Sequence, residues 1–312
     1  MQNLKEKLSK LSVLVFGDMY LDKDCIGEFS GISREDQHLP ILKIHKEKYQ
    51  PGGGGNLASC FAALGVKTTV VGLWSNKNDI NRQIIEQSFK NKGIDTSYMV
   101  QPGKTLVFGK FYTTNGNHVF RYDTVAEGMT DEAENSLIKN LKQASLKANF
   151  LACADYDESG TRDMVCEKTL QPIKETKLPI FATGRKAMDK FKGSNYILLN
   201  EHEFEGQPFK GSFEEFVKSF NVSSLIITSK NGATAFNKDG SKNESKAKAL
   251  EGPLDTCGCG DMFYAMYASS LMAGYDTETS LKLAHIAAGI VAKKMFGADQ
   301  ASIDEVLNNL QT

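Results

Sequence analysis

The sequence has almost no net charge to offer a partner: 37 Lys and Arg stand against 38 Asp and Glu, leaving −1 at pH 7 over 312 residues. That balance gives no reason to expect nucleic acid or an anionic membrane surface as partner. No apolar run approaches the ~18 residues of a membrane span. The most helical candidate, Leu281 to Phe296, is interrupted by His285, Lys293 and Lys294. The run Val13–Phe16 is short and ends at Gly17-Asp18 with no small-residue cleavage site after it. No secretory leader is expected, and a cytoplasmic protein is. The six cysteines include one C-x-C pair, Cys257 and Cys259, but no second pair at zinc-ribbon spacing. Reduced, mostly buried thiols are the expectation. The five histidines show no metal-ligand spacing. There is no G-x-x-x-x-G-K-S/T phosphate loop, no H-x-G-H, and no repeat or linker.

What is present is an alternation. Val13–Phe16, Thr68–Leu73, Phe150–Ala154, Ile180–Ala182, Tyr196–Leu199 and Leu225–Thr228 read as short buried strands. Between and after them, helices are predicted over Asn56–Leu64, Ile80–Phe89, Asp131–Ala144, Thr161–Leu170, Cys259–Ala273 and Glu278–Phe296, with a last one from about Ile303. Strands alternating with helices predict a parallel sheet covered on both faces. Four extended stretches break the rule: Asp24–Phe29, Leu39–Tyr49, Leu106–Tyr112 and His118–Tyr122, the last two forming a hairpin about Thr114-Asn115-Gly116. They predict a small β-lid, its segments about 24–48 and 105–123, on one domain spanning 1–312.

The segment richest in chemistry is Asp255-Thr256-Cys257-Gly258-Cys259-Gly260-Asp261, just before the apolar helix that starts Met262-Phe263-Tyr264. A glycine turn opening a helix presents unpaired N–H groups, and the helix dipole adds positive potential there. Such a turn binds phosphate, and Asp261 is then an acid beside an anion site. A plain helix cap explains one of the two acids but not the glycine pair between them. Pro51-Gly52-Gly53-Gly54-Gly55-Asn56 is a second glycine loop, with Asn56 able to donate and accept. Its match to G-x-G-x-x-A is discounted as a dinucleotide site, because the first strand ends at Gly17-Asp18 and not in this loop. Asp18 and Asp22 follow the first strand, and a carboxylate pair suits a sugar diol.

Together these segments resemble the ribokinase-like (PfkB) carbohydrate kinases, with signatures D-T-x-G-A-G-D and P-G-G-x-x-N-x-A, over Val13 to about Ser302. The likeness is closest to kinases of D-glycero-D-manno-heptose 7-phosphate, through Gly17-Asp18, Leu21-Asp22, Ile32-Ser33, Glu35, Leu39-Pro40 and Arg121-Tyr122-Asp123. The resemblance implies an α/β fold, a ribokinase-like three-layer sandwich with a mostly parallel central sheet and a β-lid. It implies a sugar kinase using ATP with Mg²⁺, and K⁺ as a candidate activator. Asp261 is then the base, with Gly258, Cys259 and Gly260 as the anion hole. Asp18, Asp22, Gly52, Gly53, Asn56 and Arg121 hold the sugar. Asn200, Glu203, Thr228 and Gly232, with Gly258 and Gly260, serve the nucleotide. Glu203 meets Mg²⁺ through water, and Asp255 is the candidate K⁺ residue, with Gly297-Ala298 in the adenine-side and cation loop.

This chain departs from the pattern in four places. Cys259 stands where Ala is usual, Ser30-Gly31-Ile32-Ser33-Arg34-Glu35 replaces S-R-I-S-P-E, Asp155-Tyr156-Asp157-Glu158-Ser159-Gly160 replaces D-Y-G-K-G, and the loop Thr228–Gly232 is a residue short with Ser or Lys where Gly is usual. Arg34, Lys110 and Arg121 are the candidate cations for a phosphorylated sugar. A homodimer through the lid is implied, and no second, nucleotidyl-transferring domain is expected. The alternatives are a kinase of another small alcohol (fructose, ribose, a ketodeoxy sugar acid, a nucleoside), a non-catalytic sugar or nucleotide sensor on the same fold, and a dinucleotide oxidoreductase.

Overall fold

The computed structural model describes residues 3–310 apart from 102, 126–127, 157–163, 186, 253 and 295–298. The first half of the chain runs α1 (Leu4–Ser9), β1 (Ser12–Gly17), β2 (Met19–Ile32), β3 (Pro40–Gly53), α2 (Gly54–Ala63), β4 (Lys67–Val71), α3 (Ile80–Asn91), β5 (Leu106–Thr113), β6 (His118–Asp123), α4 (Asp131–Ser145) and β7 (Phe150–Asp155). The second half runs α5 (Glu167–Lys174), β8 (Ile180–Gly184), β9 (Tyr196–Asn200), α6 (Glu201–Glu205), α7 (Phe213–Phe220), β10 (Ser224–Ser229), β11 (Gly232–Asn237), β12 (Lys242–Lys246), α8 (Cys259–Met272), α9 (Thr277–Ala292) and α10 (Ile303–Asn309).

Two sheets result. The larger has eight strands in the order β12-β11-β10-β9-β8-β7-β1-β4. From β4 to β10 every pairing is parallel; β11 runs antiparallel to both neighbours. Period-2 alternation sends successive side chains to opposite layers. Val13, Val15, Phe150 and Ala152 pack with Phe61 of α2 and with α8 and α9. Leu14, Phe16, Leu151 and Cys153 pack on the opposite face with Leu137 of α4, Leu170 of α5 and Phe216 of α7. Both faces are therefore covered, the condition under which parallel strands read as continuous apolar runs. The chain reverses its direction of travel at β1, which has β4 on one side and β7 on the other. A crevice opens beyond the carboxyl ends of the strands at such a reversal.

The second sheet has four strands, β3-β2-β5-β6. Its β2–β5 pairing is parallel, flanked by antiparallel partners. It joins the larger sheet through Asp18, the one residue between β1 and β2. The chain re-enters at Gly53, in a left-handed conformation at φ 57°, with the Gly54 N–H donating to the Asp18 carbonyl at 2.7 Å. Asp18 and Gly53 are thus stitched side by side.

Several elements differ from their sequence readings. The helix expected over Thr161–Leu170 begins at Glu167 and runs to Lys174, capped at Cys166; residues 161–163 lie outside the described set. Helix α9 stops at Ala292, and the expected continuation to Phe296 leaves the described residues. The Thr228–Gly232 segment is a tight hairpin between β10 and β11. Strand β12, Lys-Asn-Glu-Ser-Lys, is a polar edge with no apolar alternation to announce it. Helix α7 did carry a signal, with Phe213, Phe216, Val217 and Phe220 at helical spacing, and Ser212 and Glu215 forming a capping box.

Candidate active site

A cleft of about 330 Å³ lies where the crevice is expected, between the carboxyl ends of the strands and the second sheet. Tyr156 follows β7, Thr183 and Arg185 come from β8 and its end, Asn200 and Glu203 from the β9–α6 junction, and Thr228 from β10. Tyr20, Asp22, Phe108, Lys110 and Arg121 face it from the second sheet, and Gly258, Gly260 and Asp261 from the start of α8.

Gly258 leads into helix α8 with a φ of 76° that suits glycine, and no side chain caps the helix. The Cys259 N–H turns back to the Thr256 carbonyl at 3.2 Å. A Cβ added to Gly260 would meet no atom within 4 Å, so the helix start faces an open bay. Uncapped N–H groups and the helix dipole there suit an anion.

Asp261, in the first turn, is partly buried. Tyr156 donates its hydroxyl to Oδ1, and Asn56 donates Nδ2 to Oδ2 at 2.6 Å. Burial pushes the Asp261 carboxyl up to about 6, against the pull of the Tyr156 and Asn56 bonds and of Arg185. An acid held near 6 is ionised at neutral pH yet basic enough to accept a proton.

The sequence-predicted residues divide by position. Asp22, Gly53, Asn56, Arg121, Asn200, Glu203, Thr228, Gly258, Gly260 and Asp261 line one cleft. Asp18, Gly52, Gly232, Asp255 and Cys259 do not line it. Asn56 spends its amide on Asp261 and accepts from Gln300 Nε2 at 3.0 Å. Gly52 makes room for protein: its Cβ would stand 2.1 Å from the Tyr20 ring. Gly232 opens β11 against the Ser245 carbonyl, 2.3 Å from where its Cβ would be. The Cys259 thiol points at the Ala288 carbonyl, 3.5 Å away, and burial pushes it up to about 12, which keeps it un-ionised. Asp255 accepts from the Cys257 N–H at 2.9 Å within its own loop. Gly297-Ala298 lie outside the described residues, as do 157–160. Of the candidate cations, Lys110 and Arg121 line the cleft, and Arg34 is exposed on a bend between β2 and β3. Lys110 donates to Asp22 at 3.1 Å; burial opposes its charge, but Asp22 holds its pKa above the ordinary range.

Sequence reasoning missed Tyr20, Tyr156 and Arg185. Tyr20 packs on Phe108 at 4.2 Å between ring centres, and the Arg185 guanidinium lies over the Tyr156 ring at 5.2 Å. A tyrosine or arginine just past a strand carries no local signal of its own. Only its position at a strand's carboxyl end marks it.

Glu203 accepts from the Asn200 N–H at 2.9 Å, and Asn200 returns the bond to the Glu203 N–H at 2.7 Å, a capping box at the cleft's edge. Burial pushes the Glu203 carboxyl up. Among the described residues no three His, Cys, Asp or Glu converge to hold a metal directly. One acid at the edge fits an ion that arrives on a phosphate ligand and reaches the protein through water.

A parallel sheet covered on both faces, a small sheet over its crevice and an acid at a glycine-opened helix define a class, the ribokinase-like carbohydrate kinases. These are phosphotransferases with an alcohol group as acceptor. The chain belongs to the pfkB family carbohydrate kinases, whose model matches residues 11–302. Among curated proteins it is similar to the Bifunctional protein HldE of Aliivibrio fischeri (strain MJ11), 24% identical over 94% of this chain and 62% of that protein. The Bifunctional protein HldE of Azorhizobium caulinodans is 26% identical over 91% of this chain and 61% of that protein. The chain thus spans about three fifths of the length of these relatives. Among solved structures, Arabidopsis thaliana ribokinase complexed with ribose and ATP matches with a TM-score of 0.75 at 17% identity, covering 97% of this chain and 99% of that one. The fold is the ribokinase-like sandwich with its β-lid.

Proposed function

We propose that the protein transfers the γ-phosphate of ATP to a hydroxyl of a sugar or sugar phosphate, with Asp261 as the base. The observation that carries this reading is Asp261 itself: a carboxyl raised to about 6, in a cleft, beside an uncapped helix start. The alcohol's proton passes to Asp261 as its oxygen bonds to the γ-phosphorus, and the bond from that phosphorus to ADP breaks. The amides of Gly258 and Gly260 would face the charge on the transferring group, while the Cys259 N–H is turned back to the Thr256 carbonyl. Asn200, Glu203, Thr228 and the Gly232 hairpin form the nucleotide side. Asp18, Asp22, Gly52, Gly53 and Arg121 shape the acceptor side, with Asn56 acting through Asp261. Glu203 would hold Mg²⁺ through water, and the ion would screen the phosphates when bound. Asp255, with residues 297 and 298, is the candidate K⁺ site. The second sheet is the lid that excludes water, within one domain spanning 1–312, and its exposed face pairs two copies in a homodimer. The setting is the cytoplasm.

Three cations on the acceptor and floor side, Lys110, Arg121 and Arg185, favour an acceptor that is already phosphorylated, with heptose 7-phosphate as the leading candidate. The test is a coupled assay for ADP release with Mg²⁺-ATP across phosphorylated and free sugars and nucleosides, with and without K⁺. Preference for a phosphosugar is expected. Asp261→Asn should keep ATP binding and lose at least ~100-fold in turnover. Near wild-type turnover in that variant would refute the base assignment, and no turnover on any acceptor would favour a sensor.

A further inference from the structure

Resting on the reading of Asp261 as the base, we infer that Tyr156 is a positioning residue for the transfer: its hydroxyl and the Asn56 amide together fix both carboxylate oxygens of Asp261 at the cleft. Each oxygen receives one donor, Tyr156 Oη on Oδ1 and Asn56 Nδ2 on Oδ2 at 2.6 Å. A carboxylate gripped on both oxygens has lost its rotation, yet each oxygen keeps acceptor capacity for an incoming hydroxyl.

The grip draws on three parts of the chain. Tyr156 is the first residue past β7, Asn56 sits in the first turn of α2, and Gln300, just before α10, turns the Asn56 amide by donating to its Oδ1 at 3.0 Å. The Tyr156 ring is itself covered by the Arg185 guanidinium at 5.2 Å.

The choice of donor matters chemically. A lysine or arginine bonded to Asp261 would favour the ionised form so strongly that it would accept no proton near neutral pH. A phenol is a neutral donor. Burial pushes the Tyr156 hydroxyl well above its ordinary range, so it keeps its own proton while the alcohol's proton goes to Asp261. The other groups whose charge reaches Asp261 are Arg185 past β8, Asp22 and Tyr20 on β2, Cys60 on α2, and Cys259 and Tyr264 on α8.

The experiment is a carboxyl ¹³C NMR titration of aspartate-labelled protein, with Asp261→Asn to assign the resonance. The wild-type midpoint is expected near 6. Tyr156→Phe keeps the ring and removes the donor, and should move the midpoint up by about one pH unit. The acid limb of kcat/KM should move with it, while KM for ATP holds. An unmoved midpoint in Tyr156→Phe overturns the inference. Should that variant fold poorly, 3-fluorotyrosine at position 156 keeps the shape and donates more strongly. It should move the midpoint down, and no movement overturns the inference equally. High turnover in Asp261→Asn would instead sink the base assignment, whatever Tyr156 does to the titration.

Discussion

Asp261 pays for its basicity in stability. Its carboxyl is raised from 3.8 to about 6, chiefly by burial. A carboxyl raised on folding contributes stability that is fully present below the unfolded value and is lost as pH climbs through the folded one. Asp261→Asn removes the charge, so it should be more stable than wild type at pH 8 by on the order of 1–2 kcal/mol and melt higher, with the advantage gone by about pH 4. Differential scanning calorimetry at the two pH values decides it; an advantage independent of pH would show that the buried charge is not the cause. With Asp261 as the proposed base, turnover should run the opposite way, rising as pH climbs through about 6 and the carboxyl ionises. Asp261 was legible in the sequence because glycines and acids at fixed spacing before an apolar helix form a local pattern. Tyr156 and Gln300 were not: Tyr156 reaches Asp261, and Gln300 reaches Asn56, only through the fold, and no local spacing encodes either contact.

At the scale of elements, the glycine loop that leads into α2 is a structural joint. Gly53 combines φ 57° with ψ −129°, and a Cβ there would stand 2.6 Å from both the Asp18 carbonyl and the Tyr20 ring. Gly53→Ala should therefore destabilise the fold by about 1–3 kcal/mol through backbone strain. It should also weaken turnover by shifting Asn56 three residues on. Denaturant unfolding and the acceptor assay check both; an unchanged midpoint would mean the loop relaxes freely. The parallel strands were readable because strands buried on both faces are short apolar runs between helices. The antiparallel strands β11 and β12 were not, since β11 is built largely from small residues and the edge strand β12 from polar ones. Helix α7 was readable and went unread, its phenylalanines at helical spacing lying in the sequence throughout.

For the whole molecule, the far part of the second sheet carries an apolar surface that its own chain does not cover. Phe29 and Phe120 are more than half exposed, with Ile41, Ile44 and Val119 exposed on the same sheet. Exposed apolar side chains of that size suit an association surface, and in the proposed homodimer a two-fold pairing of identical sheets would cover both copies at once. Light scattering after size exclusion should give a dimer, with Phe29→Asp and Phe120→Asp each giving monomer; a monomeric wild type at micromolar concentration would remove the surface from consideration. The same sheet meets the rest of the molecule where Asp18 and Gly54 are bonded at 2.7 Å. If the second sheet closes over the cleft as the proposed lid, that stitch would be its spine, since sliding would break the bond. Asn56, two residues past Gly54 in the first turn of α2, would then stay beside the spine and keep its bond to Asp261.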